Sequence, residues 1–334
     1  MLARVRRGSV IQLVAIALVA GLVATAVALF IPWLPVAAGE EADRIHFVYW
    51  FTTAICIGVF AVVAAVLGYS IWKFRVKPDD FSDGPPTHGH TQLEIIWTAI
   101  PAILVTAISI VSAIVLAQNS NAGDNPLVVK VVAQQFAWAF TYPNGKTYGY
   151  LTIPEGRHTK LEITANDVIH SFWVPELSQK QDAVPGETNS LIVTPTRTGN
   201  FPVICTELCG LGHAVMRSHV EIMGATAFDR WLKGGGQAAG AAPGLAVFQQ
   251  AGCGGCHTFK PAGANGNVGP DLDKLKELAA KAGHGNEADF IRESIVKPEA
   301  YIEPGYPDAM PHIYGGQLSA KQLADLVQYL AAGS

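Results

Sequence analysis

Apolar positions are unevenly spread along the chain. Three runs in its first third, 8–39, 45–72 and 95–116, contain no Asp, Glu, Lys or Arg. A helix needs about 20 apolar residues to cross the hydrocarbon core of a bilayer, and each run is long enough. Three such runs in succession predict membrane helices rather than buried core helices. Arg4, Arg6 and Arg7 precede the first run, Lys73, Arg75 and Lys77 follow the second, and Glu40, Glu41 and Asp43 lie between. The positive-inside rule puts both basic clusters in the cytoplasm and everything after Leu116 outside it. The first run reads two ways. Its basic start and the small residues Val36-Ala37-Ala38 suit a secretory leader, but the run exceeds the usual apolar length of about 7–15 residues. Residues 1–38 are therefore a leader or a first membrane helix, and 39–120 a transmembrane hairpin.

Beyond Asn119 the period changes. Residues 128–132 form a strand-like run, 161–164 alternate with period two, and 190–194 and 220–222 are β-branched or alternating. Tyr142-Pro143-Asn144-Gly145 reads as a hairpin turn and Thr198-Gly199-Asn200 as another turn. Short strands separated by turns predict a small β-sandwich or barrel over 124–232. Residues 233–243 are rich in Gly and Ala and read as a linker. Helical spacing returns at 245–250, 272–281, 288–296 and 320–331, with Ser319 as N-cap of the last, so 244–334 is an all-α domain.

Composition narrows the class. The 334 residues are 50% hydrophobic and only 15% charged. A mean hydropathy of +0.27 excludes a disordered chain. The net charge of −4 offers no basic stripe for nucleic acid. Five cysteines are too few for a disulfide scaffold, so their positions matter more than their number. Cys56, inside the second apolar run, is read as packing.

Cys205-Thr206-Glu207-Leu208-Cys209-Gly210-Leu211-Gly212-His213-Ala214-Val215-Met216 puts two thiols, an imidazole and a thioether on one short segment. Soft sulfur donors with imidazole select copper. Two thiolates four residues apart can bridge two copper ions, and a second histidine is then required. His170 is the best candidate. A structural zinc site has no need of Met216, and a Cys205–Cys209 disulfide is the other competing reading. His219 lies outside the pattern, and His158 is an ordinary strand residue. Further along, Cys253-Gly254-Gly255-Cys256-His257 has the spacing of c-type haem attachment: two thioethers to the porphyrin edge, then a histidine to the iron. A redox dithiol would sit near a βαβ pattern, which is missing, and a zinc site would need further ligands. Met/His ligation is common in such proteins, and Met310 is the one methionine after the motif. His284 and His312 are its rivals as sixth ligand.

The run C-x-E-x-C-G-x-x-H-x-x-M resembles the binuclear copper (CuA) loop of cytochrome c oxidase subunit II, and the resemblance extends over about 45–232. It implies a cupredoxin-like β-barrel with His170, Cys205, Cys209, His213 and Met216 as side-chain ligands and Glu207 as a carbonyl ligand. It also implies that the Glu207 side chain reaches a magnesium site shared with subunit I. Asp182-Ala183-Val184-Pro185-Gly186 matches the family too. Leu93-Glu94-Ile95-Ile96-Trp97-Thr98 resembles the start of the family's second membrane helix, where the matching Glu lies at the mouth of a proton path. Ionisable residues at membrane spans are functional candidates in any case, so Glu94 takes that role here. Gln135-Phe136-Ala137-Trp138-Ala139-Phe140-Thr141-Tyr142 resembles the family's aromatic segment. It has Phe136 where many members carry the tryptophan that accepts electrons from soluble cytochrome c. Phe136 is read as core packing, and Trp138 is left as an electron-transfer candidate.

Gly269-Pro270-Asp271-Leu272 and Tyr306-Pro307-Asp308-Ala309-Met310-Pro311 resemble segments of small class I cytochromes c, and this second resemblance covers 244–333. Together the parts imply a multidomain electron-entry subunit of a bacterial haem–copper oxidase in the cell membrane. It would carry CuA and haem c outside the cytoplasm and partner subunits I and III. Its donor would be cytochrome c or a quinol–cytochrome c reductase. The alternatives are the CuA subunit of a nitric oxide reductase and a membrane-anchored electron carrier. The Leu-Glu-Ile-Ile-Trp context of Glu94 argues against the first, and the second would need one membrane helix, not a hairpin. A quinol oxidase subunit is disfavoured because that relative usually lacks the copper ligands.

Overall fold

The computed structural model describes residues 7–75, 79, 86, 88–235, 243–312 and 314–334. Arg4, Arg6, Lys77 and most of the 233–243 linker lie outside the described residues. The chain divides into two compact units.

The first unit consists of three long helices: α1 (Arg7–Phe30), α2 (Glu40–Lys73) and α3 (Thr91–Asn119). All three are long and apolar enough to cross a membrane. The 1–38 segment therefore contains a helix of membrane length, whether or not it is a leader. Large apolar side chains such as Leu22, Val63 and Ile103 are exposed on these helices. Such surfaces are stable in lipid, where a helix satisfies every backbone polar group internally. α1 packs on α2 at Gly21, where a Cβ would make ordinary contact with that of Ala61 at 3.5 Å. Cys56 is exposed on α2, where it lines a shallow pocket with Ala24 of α1.

The second unit takes in residues 37–42 and the chain from Asn119. Its first part contains β1 (Leu127–Gln134), β2 (Ala137–Thr141), β3 (Thr147–Tyr148), β4 (Leu151–Pro154), β5 (Thr159–Ala165), β6 (His170–Val174), β7 (Gln179–Ala183), β8 (Asn189–Val193), β9 (Gly199–Cys205) and β10 (Arg217–Met223). The order is β3-β2-β1-β5-β8 in one five-stranded sheet and β4-β10-β9-β6-β7 in the other. β1 and β5 pair in parallel, and so do β4 and β10. The alternation of β5 is clear, with Leu161 and Ile163 inward and Lys160 and Glu162 outward. Phe140, Phe172, Leu151 and Ile153 fill the shared core. The fold is cupredoxin-like. Thr198-Gly199-Asn200 does not form the expected turn; β9 already begins at Gly199, opposite Ile222.

One buried charge ties residues 37–42 to this domain. Glu41 accepts hydrogen bonds from the Thr194 backbone N–H at 2.8 Å and its hydroxyl at 2.7 Å. His158, in the turn before β5, meets the same hydroxyl at 2.7 Å. Two donors on one carboxylate are what a buried acid requires.

After α4 (Ala225–Arg230) and a π-helical turn at Trp231–Gly235, the helical domain follows. It has α5 (Pro243–Gln250), a small hairpin of β11 (Thr258–Phe259) and β12 (Ala264–Asn265), α6 (Leu275–Lys281), α7 (Glu287–Val296), α8 (Tyr314–Gln317) and α9 (Ala320–Gly333). α9 packs on both α5 and α7. Its start is a capping box: the Gln322 N–H donates to the Ser319 hydroxyl, and the Gln322 side chain accepts from the Ser319 N–H. The helix expected at 272–281 is split. Asp271 caps a short 3-10 turn at Leu272–Lys274, and α6 begins only at Leu275.

Candidate functional site

β6, β9 and β10 set the first site. Phe172 of β6 lies opposite Cys205, the last residue of β9, so His170 at the head of β6 comes close to that cysteine. The segment from Thr206 to Met216 then loops back into β10. Its ends are joined by the Cys205 N–H to Met216 carbonyl bond at 3.2 Å, and Met216 N–H also donates to the Gly212 carbonyl at 3.1 Å. The loop thus turns its sulfurs inward.

The candidate ligands converge there. The Cys205 and Cys209 sulfurs are 3.9 Å apart and both are free thiols. His170 Nδ1 lies 3.9 Å from the first and His213 Nδ1 3.6 Å from the second. The Met216 sulfur is 3.8 Å from Cys209 Sγ, and the Glu207 carbonyl oxygen is 3.4 Å from Cys205 Sγ. His170, Cys205 and Cys209 form the one group among the described residues with metal-binding spacing. Two thiols between two imidazoles, with a thioether and a carbonyl at the flanks, fit a sulfur-bridged copper pair. The Glu207 side chain is exposed, and among the described residues no second acid joins it in such a group.

Electrostatics prepare the pair for a cation. Burial opposes ionisation of Cys205, but hydrogen bonds from His170 and neighbouring backbone groups outweigh it and bring its pKa down. Burial and the adjacent Cys205 thiolate hold Cys209 up. A metal that replaces both protons removes this mutual repulsion, so binding releases protons.

Sequence reasoning missed the groups behind the ligands. Asp167 Oδ1 accepts from His170 Nε2–H at 2.8 Å, which leaves Nδ1 for the sulfur side. Asp167 Oδ2 accepts the Gln135 backbone N–H at 2.6 Å, and the Gln135 amide donates to the Cys209 carbonyl at 2.5 Å. Burial pushes the Asp167 carboxyl up, but these bonds hold it below the usual range. A carboxylate three residues before a candidate histidine ligand was the available signal.

The second site is a cavity in the helical domain. The Cys253–Gly255 turn, closed by His257 N–H to Cys253 carbonyl at 3.0 Å, puts Cys253, Cys256 and His257 on one wall. His257 donates Nδ1–H to the Pro270 carbonyl at 2.8 Å, so Nε2 is its free nitrogen. Burial holds this imidazole below its usual pKa and so neutral, as an iron ligand must be. Gly269 makes room for the ring: a Cβ there would come within 2.4 Å of it. Met310 lines the same cavity, whereas His284 and His312 do not. Leu275, Phe290, Ile291 and Leu326 supply apolar walls. Two thiols, a neutral imidazole, a thioether and apolar walls fit a covalently held haem.

The other named residues fall elsewhere. Trp138 is buried in the β-domain core, edge-on to Phe172 at 5.6 Å and 6.3 Å from the His170 ring. Phe136 is more than the core residue expected. Its ring packs on the copper loop, where a Cβ at Gly212 would lie 2.5 Å from it, and Phe136 also lines the cavity around His257. Glu94 stands exposed in the first turn of α3 and accepts the His90 N–H at 2.9 Å. His219 stacks on Tyr150 at 4.9 Å.

Comparison with known proteins finds relatives of both the membrane-anchored β-domain and the helical domain. Residues 24–115 match the transmembrane-domain family of cytochrome c oxidase subunit II, 146–223 its periplasmic-domain family, and 241–334 the cytochrome c family. The chain is 33% identical to cytochrome c oxidase subunit 2 of Alkalihalophilus pseudofirmus over 311 residues, 87% of this chain and 88% of that one. It is 34% identical to the Synechocystis sp. subunit 2 over 247 residues, 60% of this chain and 74% of that one. The periplasmic domain of the Bradyrhizobium japonicum subunit II, 27% identical, aligns with a TM-score of 0.32 over 34% of this chain and 95% of its own. The match to a relative across nearly its whole length, with both halves of the chain included, makes this protein a member of the cytochrome c oxidase subunit II family, a membrane-bound haem–copper oxidase subunit with a cytochrome c domain appended.

Proposed function

We propose that this chain is the electron-entry subunit of a proton-translocating terminal oxidase in a bacterial cell membrane. In this reading electrons from an external donor arrive at the haem site, pass to the copper site and leave for subunit I, where oxygen is reduced. Subunit III and a donor that is cytochrome c or a quinol–cytochrome c reductase complete the assembly. The observation that supports direct transfer between the two sites is Phe136, whose ring touches the copper loop at Gly212 and lines the haem cavity.

Haem and copper, when bound, supply one-electron chemistry; the chain supplies position and electrostatics. Cys253 and Cys256 would anchor the haem, and His257 and Met310 would supply its iron ligands. Cys205, Cys209, His170, His213, Met216 and the Glu207 carbonyl would hold the copper pair, while Asp167 and Gln135 fix His170 and the loop. The exposed Glu207 carboxylate remains for the magnesium site shared with subunit I. Glu94 marks the proton entrance, supported by its place in the first turn of α3. Trp138, buried and 6.3 Å from the His170 ring, is the electron-transfer candidate within the copper domain, supported by that proximity.

A reduced pyridine haemochrome spectrum of the complex that copurifies with this chain tests the reading. Haem A beside haem C is the expected result. Haem C with haem B and no haem A would favour a nitric oxide reductase, and haem C alone a free-standing carrier.

A further inference from the structure

The haem cavity has an ionisable wall that the ligand set does not use. Glu303 lines it together with Tyr301, His257 and Met310, and its side chain is only 11% exposed. Both carboxylate oxygens are engaged. The Tyr301 hydroxyl donates to Oε2 at 2.6 Å, and Lys281 Nζ at the end of α6 lies 3.2 Å from Oε1. Tyr301 is itself held edge-on against Phe290, another cavity residue, at 5.7 Å. Glu303 also opens the segment that ends at Met310, and its carbonyl accepts the Tyr306 N–H at 3.1 Å. The hydrogen bond from Tyr301 and the nearby Lys281 keep the carboxyl below its usual range in spite of burial, so it is ionised at neutral pH. Lys281 is 61% exposed and its charge is spread into water. The Glu303 side chain itself is largely shielded from solvent, where charges act more strongly.

We propose that the Glu303 carboxylate sets the haem potential through its charge. Its negative charge in the cavity wall favours the more positive, oxidised iron, Lys281 partly offsets it from the solvent side, and Tyr301 fixes its orientation. The inference rests on the haem reading of this cavity. Net charge, hydrogen bonding and exposure are the protein's ordinary means of setting such potentials.

The test is a spectroelectrochemical titration of the haem c band in the intact purified complex, with Glu303→Gln and Lys281→Gln. Glu303→Gln keeps the shape and the acceptor for Tyr301 but removes the charge. The midpoint should rise in Glu303→Gln and fall, by less, in Lys281→Gln, with the sulfur–iron charge-transfer band intact in both. A normal haem c whose midpoint ignores Glu303→Gln overturns the proposal. So do shifts of the same sign in both variants with loss of that band, since Glu303 would then only clip the Met310 segment in place. A complex with no covalent haem, recognised by its haemochrome spectrum, overturns the proposal together with the function on which it rests.

Discussion

Asp167 shows how one residue can govern a site it does not enter. It holds the His170 Nε2 proton and, through Gln135, reaches the Cys209 carbonyl on the far side of the copper loop. Partners of this kind typically alter metal affinity about 10–100-fold. Asp167→Asn should therefore lose copper to a chelator at roughly 10–100-fold lower competitor concentration, with haem c content unchanged. Unchanged copper retention in that competition would refute the role. The residues around the sulfurs were legible because most share one loop, where spacing alone brings them near each other. Asp167, Gln135 and Glu303 were not. Their importance arises from contacts across strands or across the haem cavity; only Asp167, three residues before His170, left a local trace. Phe136 packs against the β-domain core as expected, but its place in the wall of the haem cavity depends on a second domain that no local pattern shows.

Among the elements, the crossing of α5 and α9 sets the tightest steric condition. A Cβ at Gly244 would lie 2.2 Å from the Asp325 carbonyl oxygen and from Tyr329 Cβ, so only glycine allows this approach. Overpacking at such a contact typically costs about 1–3 kcal/mol. Gly244→Val should lower the thermal midpoint of the haem domain, followed by its Soret band in the full chain, and leave copper spectra unchanged. A midpoint equal to that of the parent would show that the helices separate freely. Elements with a clear period were readable: β5 alternates, and α9 starts at a capping box. β4 was not, because all four residues are buried and no alternation survives. β7, Gln179-Lys180-Gln181-Asp182-Ala183, is a polar strand at a sheet edge and offers no apolar signal. The chain from Cys253 to Leu272 is built from turns and two-residue strands, which follow the cavity more than any periodicity.

At the scale of the whole molecule, the second unit holds the candidate copper and haem sites side by side, with the Phe136 ring between them. Phe136→Ala should slow the reduction of copper by haem c after rapid photoreduction of the haem, while both midpoints stay put. An unchanged rate would mean that the ring is packing and not part of the route. The broad division into membrane helices, β-domain and helical domain could be read from changes in hydrophobic period. The seam between the last two could not, since it depends on how Phe136 and Ala137 meet the cavity and on Gly255 resting 3.5 Å, by its Cβ position, from the Arg217 carbonyl.

That seam also bears on kinetics. Carriers that meet in solution depend on concentration, and on salt where charges steer them together. Two sites in one chain, joined by an apolar ring, depend on neither. On the proposed route, delivery of an electron to the haem remains a collision between molecules. Its onward step to copper becomes a first-order event, the same in dilute and crowded membranes and at low and high ionic strength.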